Sequence, residues 1–135
     1  MKVLVDTNVL LSAALRDRLP ERVVLHIGTR DEWTWLVTAE ILDEYVQILR
    51  RPKFALSAEI LQRWVALVQS RTICVGSPPA VQFARDPKDA PFLAAAMATN
   101  AEYLISGDRD LLQAQALVST RIVTAAEMAR ILQIV

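Results

Sequence analysis

The stretch that decides the fold is VLVDTN, residues 3–8, in which three apolar residues run directly into Asp6, Thr7 and Asn8. Residues 3–5 have the length and composition of a short, fully buried strand. A carboxylate at the end of such a strand is costly unless another group neutralises it. The position of Asp6 therefore indicates a functional site at the end of this strand.

The rest of the chain alternates short apolar stretches with amphipathic helical patterns. Further strands are predicted at 33–37, 73–75, 103–105 and 121–123, and helices at about 9–16, 21–30, 41–49, 57–70, 89–99, 111–117 and 125–132. This alternation predicts an α/β fold with a mostly parallel sheet and helices on both faces. There is no internal repeat or linker, and 76–79 is a turn, so we expect a single domain over residues 1–135.

Composition excludes several kinds of site. Cys74 is the only cysteine and His26 the only histidine, which excludes disulfides within the chain and cysteine-rich zinc sites and leaves catalytic triads poorly supported. The three glycines form no phosphate-binding loop. No apolar run approaches the roughly 20 residues that span a bilayer, and Asp6 interrupts any signal-peptide pattern. We therefore expect a cytoplasmic protein with no membrane association.

Fifteen basic and fifteen acidic side chains give a formal net charge of zero. This balance lacks the usual electrostatic footprint of a nucleic-acid-binding protein, although acids that hold a cation would conceal a local basic rim. The hydrophobic fraction is 53%, and an apolar, uncharged domain is prone to associate. We expect a homodimer, a higher oligomer or a permanent partner protein.

Three further stretches carry acids near predicted strand ends or on helices: EILDEYVQIL (40–49), RDPKDAPFL (85–93) and YLISGD (103–108). Taken singly, Asp89 and Asp108 are more readily explained as helix N-caps than as catalytic groups. The helical period places Glu44 closer to the apolar stripe than Glu40 or Asp43, which should face water.

Four acids from four separate segments nevertheless suggest one shared pocket: Asp6, Glu44, Asp89 and Asp108. Crowded carboxylates cannot all stay ionised without a counter-charge. A hard cation that prefers oxygen ligands, Mg²⁺ or Mn²⁺, would supply it. Such cations activate water and stabilise the charge that develops when a phosphodiester is cleaved.

Four motifs in order carry a resemblance to a known family: VDTNVLLSA (5–13), AEILDEY (39–45) followed by LRRPKF (49–54), and RDPKDAPFLAAAMATNAEYLISGDRDLL (85–112), which contains the last two. Over residues 1–127 the chain resembles the PIN-domain nucleases, and most closely the VapC-like toxins of bacterial and archaeal toxin–antitoxin pairs. The resemblance implies a parallel sheet of strand order 3-2-1-4-5. In that order, the strands that end at Asp6 and Asp108 are neighbours.

The resemblance also implies roles for individual residues. Asp6, Glu44, Asp89 and Asp108 would be catalytic and bind the metal, while Asn8 and Ser106 would position substrate or water. Ser106 stands where many members have threonine, and the hydroxyl is retained. Asp110 is a possible additional acid that either touches the metal or caps a helix. Asp86 is interpreted as structural, starting the turn before Pro87.

The implied activity is Mg²⁺- or Mn²⁺-dependent endoribonuclease cleavage of RNA. The implied partner is a cognate antitoxin that lies along the surface, covers the active-site groove and in some pairs places a basic side chain among the acids.

Two alternatives remain. A haloacid-dehalogenase-like phosphatase also uses a strand-end aspartate, but it would need a second aspartate where this chain has Asn8. A non-catalytic PIN-fold binding protein would have no reason to keep four costly acids.

Other conspicuous residues have structural explanations. Cys74 is predicted to be a small buried hydrophobic residue. The three tryptophans are expected in the core or an interface rather than as base-stacking platforms. Arg50 and Arg51 complement a helix C-terminus at least as well as they would contact RNA.

Overall fold

The computed structural model describes residues 1–76, 78–82, 84 and 86–134, so the predicted turn at 76–79 lies partly outside the described residues. The strands are β1 (Lys2–Val5), β2 (Thr34–Val37), β3 (Thr72–Cys74), β4 (Tyr103–Ile105) and β5 (Arg121–Val123). They form one five-stranded sheet of order β3-β2-β1-β4-β5. Each neighbouring pair of these strands is parallel. The predicted fold class and strand order are confirmed.

The helices are α1 (Thr7–Ala14), α2 (Arg18–Thr29), α3 (Ala39–Leu49), α4 (Ala58–Ser70), α5 (Ala90–Thr99), α6 (Arg109–Gln113) and α7 (Ala125–Leu132). Short 3-10 turns span Pro52–Phe54, Pro87–Asp89 and Ala114–Leu117. Helix α2 begins three residues before the predicted start because Pro20 is tolerated in its first turn, where backbone N–H groups have no helical partner. Ser57 caps α4 as predicted, with its side chain accepting a hydrogen bond from the Ile60 N–H.

The centre of the sheet is covered on both faces. Val3, Leu4 and Val5 of β1 alternate in direction, yet all three are 0% exposed. Helix α5 is enclosed as well, because five consecutive residues, Phe92 to Ala96, are buried. Because the middle of the sheet is buried on both faces, the carboxylate of Asp6 that follows β1 is itself withdrawn from water. Among the described residues, no helix is long and apolar enough to cross a membrane.

Tyr45 fixes α3 to the end of β1. The ring is 0% exposed, its hydroxyl donates a hydrogen bond to the Val5 carbonyl, and Trp35 Nε1 donates to the same hydroxyl at 3.4 Å. Burial raises the pKa of the Tyr45 phenol, so the hydroxyl stays protonated and available as a donor. This contact holds the neighbouring Glu44 beside the carboxyl end of β1. Trp35 and Trp64 are buried, as predicted.

The predicted burial of Cys74 is wrong. Cys74 is an exposed free cysteine, and its neighbour Ile73 is 56% exposed. The reason is topological: β3 is an edge strand with only β2 beside it. A β-branched stretch looks the same in the sequence whether its strand is central or at the edge of the sheet.

Candidate metal centre

Strands β1 and β4 bring two of the predicted acids to one edge of the sheet. Val5 is in register with Ile105, and the Asp6 N–H continues the ladder by donating to the Ile105 carbonyl at 2.9 Å. Asp6 is 5% exposed. Its carbonyl accepts hydrogen bonds from the first turn of α1, so the residue that ends β1 also starts the helix. Asp108 follows three residues after Ile105, at the same edge.

Ser106 connects these two acids. Its buried hydroxyl donates to Asp6 Oδ2 at 2.8 Å and accepts a hydrogen bond from the Asp108 N–H at 2.9 Å. Asp108 Oδ1 in turn accepts from the Asp110 N–H at 2.9 Å, so Asp108 caps α6. The two explanations offered for Asp108 are therefore compatible, because one carboxylate has enough lone pairs to cap a helix and face a pocket.

Asp86, Asp89 and Asp108 form what we call the three-aspartate group. One carboxylate oxygen from each lies within 4.8 Å of the others. Asp89 is 5% exposed, and its Oδ2 atom is buried without a hydrogen-bond partner among the described residues. A buried carboxylate oxygen without a donor is unfavourable, and a cation is one group that would satisfy it.

Burial and neighbouring acids raise the pKa of the Asp89 carboxyl to about 7. Desolvation is the largest cause, followed by a hydrogen bond shared with Asp108 and by the negative charges of Asp108, Asp86 and Asp6. The Asp89 carboxyl therefore binds a proton more readily than an ordinary aspartate does. A cation bound beside it would instead favour its ionised form.

Desolvation also raises the pKa of Asp6. The Ser106 hydrogen bond and the Asn8 backbone N–H act in the opposite direction, and the charges of Asp108 and Glu44 raise the pKa further. Asp6 is therefore close enough to Asp108 and to Glu44 for the charges of both acids to act on its carboxyl.

Glu44 reaches the site from α3. It is half-buried, whereas Glu40 and Asp43 on the same helix are exposed, as the helical period predicts. The Thr7 hydroxyl donates a hydrogen bond to Glu44 Oε2, which ties α3 to the first residue of α1. Thr7 was not predicted as a site residue, although its place directly after Asp6 is consistent with this contact.

The remaining predicted residues lie at the rim. Asn8 is exposed and, with Asp108, lines a groove of about 640 Å³. Asp110 is half-buried in the first turn of α6 and is not part of the three-aspartate group. Asp86 was interpreted as structural: its side chain does cap the turn by accepting from the Lys88 N–H at 3.0 Å, but its carboxylate also belongs to the group.

The acids of this pocket offer only oxygen atoms as ligands to a cation. Among the described residues, this pocket of crowded carboxylates leaves one buried oxygen unsatisfied. Such a pocket fits a hard divalent cation and does not resemble a sulfur and nitrogen zinc site. These residues therefore fit a hard divalent cation such as Mg²⁺ or Mn²⁺.

Residues 2–110 match the family model of the PIN domain. The chain belongs to the PIN-domain family. This membership assigns it to a family of nucleases, hydrolases that act on nucleic acids, and it confirms the resemblance found in the sequence.

Two solved structures share the fold. VapBC2 from Rickettsia felis, bound to a DNA fragment from its promoter, is 12% identical, with a TM-score of 0.61, over 92% of this chain and 98% of that chain. PAE2754 from Pyrobaculum aerophilum is 20% identical, with a TM-score of 0.60, over 98% of this PIN-domain chain and 90% of that chain. Comparison with curated proteins gives no match.

Proposed function

We propose that the protein is a metal-dependent endoribonuclease and the toxin of a type II toxin–antitoxin pair. The observation that carries the proposal is the buried Oδ2 of Asp89, which has no hydrogen-bond partner in the described part of the chain. Asp89 lies near Asp108 in a pocket of acids at the carboxyl ends of β1 and β4. In parallel sheets, ligands bind at this edge, where the winding reverses.

Asp6, Asp89 and Asp108 would hold Mg²⁺ or Mn²⁺, with Glu44 completing the acidic wall. When bound, such a cation lowers the pKa of water and neutralises charge that develops on a phosphate. Ser106 and Thr7 hold Asp6 and Glu44 in place through the hydrogen bonds described above.

The groove beside the acids is the proposed path of the RNA strand. It is lined by Asn8, Val9, Ser12, Pro20, Gly107, Asp108, Arg109 and Ala125. The exposed amide of Asn8 and the guanidinium of Arg109 offer donors to a phosphate that approaches Asp108. A local basic contact of this kind needs no excess of positive charge over the whole chain.

The test is cleavage of a panel of single-stranded and structured RNAs by protein free of antitoxin. We expect cleavage with Mg²⁺ or Mn²⁺, loss of cleavage in EDTA and recovery when metal is restored. Asp89→Asn should be inactive, whereas Asp43→Asn should cleave like wild type because Asp43 is exposed on the far side of α3 from the apolar stripe. Cleavage that persists in EDTA would refute the metal mechanism.

The same preparations separate the alternatives. A haloacid-dehalogenase-like phosphatase would hydrolyse a small phosphate monoester and leave RNA intact. A non-catalytic PIN-fold binding protein would bind RNA or a partner without cleaving any substrate. In that case Asp89→Asn would behave like wild type in the cleavage assay, because neither protein would cleave RNA.

A groove of about 610 Å³ between α2 and α4 supports the proposed antitoxin. Leu25, Ile60 and Leu67 line it. The charged side chains that line it are the exposed Arg16, Arg63 and Arg71 and a single acid, Glu21. This combination suits an amphipathic segment with acidic residues along its edges. We propose that the antitoxin occupies this groove and extends to the acids, where it places an Arg or Lys.

Two variants test the two parts of this contact. Removing one member of a buried charge pair costs roughly 3–5 kcal/mol, so Glu44→Gln combined with Asp89→Asn should weaken antitoxin binding if a basic side chain reaches the acids. Leu67→Asp should weaken binding at the groove and leave RNA cleavage by the free protein intact. Unchanged affinity in both variants would mean that the antitoxin binds elsewhere.

A further inference from the structure

We infer that Asp86 is a fifth acid of the metal centre and shares a divalent cation with Asp89 and Asp108. The inference rests on the proposed metal-dependent function and extends it to a residue whose position before Pro87 is otherwise explained by the turn. Its basis is the three-aspartate group, in which one oxygen of each carboxylate lies within 4.8 Å of the others.

The backbone holds Asp86 and Asp89 together as a unit. The Asp89 N–H donates to the Asp86 carbonyl at 2.9 Å, and the Lys88 N–H donates to Asp86 Oδ1 at 3.0 Å. Pro87, the first residue of the turn, has a fixed φ. The two carboxylates are therefore presented from one short, constrained turn towards Asp108 on the neighbouring segment.

Capping alone does not explain an aspartate at this position. Asparagine caps a helical turn about as well as aspartate and carries no charge. A third negative charge beside Asp89 and Asp108 adds repulsion when no cation is present. The charge at Asp86 has a physical use once a cation lies among the three carboxylates.

An independent feature indicates a ligand at the same place. Asp89 is 5% exposed, belongs to the group, and has a buried Oδ2 without a hydrogen-bond partner among the described residues. The pocket thus contains an acceptor that needs a positive group, and Asp86 supplies a further carboxylate, one oxygen of which lies within 4.8 Å of an oxygen of Asp89.

Asn and Ala variants of Asp86 separate a ligand from a cap. Asp86→Asn keeps an acceptor for the Lys88 N–H and removes the charge, whereas Asp86→Ala removes both. Asp43→Asn is the matched control, because it also removes one negative charge, and Asp43 is exposed and accepts a hydrogen bond only from Gln47 Nε2 among its described contacts. Binding of Mn²⁺ is measured by calorimetry and by the rise in Tm when Mn²⁺ is added.

We expect Asp86→Asn to bind Mn²⁺ about tenfold or more weakly than wild type. The metal-free Tm of this variant should be equal to or higher than that of wild type, since repulsion is relieved. Asp43→Asn should bind Mn²⁺ like wild type. Equal Mn²⁺ affinity in Asp86→Asn and wild type, with a lower Tm only in Asp86→Ala, would overturn the inference and leave Asp86 as a cap.

The outcomes distinguish this inference from the proposed function. If wild type binds Mn²⁺ and cleaves RNA while Asp86→Asn does both equally well, only the role of Asp86 is refuted. If wild type binds no Mn²⁺, the metal centre itself is refuted, and the proposed nuclease mechanism fails with it.

Discussion

Replacement of Asp89 by asparagine should stabilise the metal-free protein at high pH and flatten its pH dependence. The pKa of Asp89 is raised from 3.8 to about 7 in the folded state, so between these values the folded chain binds more protons than the unfolded chain. The stabilisation is fully present below about pH 3.8 and is lost as the pH rises through about 7.

The size of the effect follows from the same values. For a single carboxyl with these two pKa values, the free energy of unfolding falls by at most about 3 kcal/mol between pH 5 and pH 8. Solvent at the rim of the pocket screens the charges around Asp89, so we expect about half of that difference. Asparagine cannot ionise, and the variant should lose this contribution to the pH dependence.

The measurement is urea unfolding in EDTA at pH 5 and pH 8 for wild type, Asp89→Asn and the control Asp43→Asn. Asp6 is present in all three proteins, so the difference between wild type and Asp89→Asn reports chiefly on Asp89. We expect Asp43→Asn to follow wild type. If the stability of wild type and that of Asp89→Asn change equally between pH 5 and pH 8, then ionised Asp89 is not destabilised in the metal-free site and the argument is refuted.

Four other predictions each concern one residue. Tyr45→Phe removes the donor to the Val5 carbonyl and should lower the free energy of unfolding by about 1–2 kcal/mol in urea titration; an unchanged midpoint would show that the contact contributes nothing. Ser106→Ala should reduce RNA cleavage about 10- to 100-fold by loosening the two acids, whereas Ser106→Thr, which keeps the hydroxyl, should stay close to wild type in the same assay. Thr7→Val should weaken Mn²⁺ binding measured by calorimetry, and Thr7→Ser should not, because only the former loses the donor to Glu44. Cys74 is exposed, so the native chain should react with one equivalent of a thiol reagent, and a reaction that needs denaturant would contradict its position.

The sequence was sufficient for the parts of the site that depend on local rules. Asp6 ends an apolar run, and Glu44 has a helical phase that places it nearer the core than Glu40 or Asp43. Both features are set by residues within a turn or a strand, and both match the structure. The strand order came from the family resemblance, because periodicity alone does not specify which parallel strands are neighbours.

The parts that were missed depend on contacts between distant segments. The Thr7 hydroxyl reaches Glu44, 37 residues away, and a threonine at a helix start carries no mark of such a partner. Asp86 caps the turn as the sequence predicts, but its closeness to Asp108 is visible only when the two segments are brought together. The exposure of Cys74 depends on β3 lying at the edge of the sheet, which a β-branched stretch does not reveal.

The strand order β3-β2-β1-β4-β5 has a consequence for synthesis of the chain on the ribosome. Asp6 emerges well before Ser106 and Asp108, which join it only when β4 pairs with β1. A nascent chain synthesised only as far as β3 contains Asp6 and Glu44 but not Asp89 or Asp108. The proposed RNA cleavage should therefore begin only after β4 has left the ribosome, so messenger and ribosomal RNA close to the growing chain would not meet an active nuclease during most of its translation.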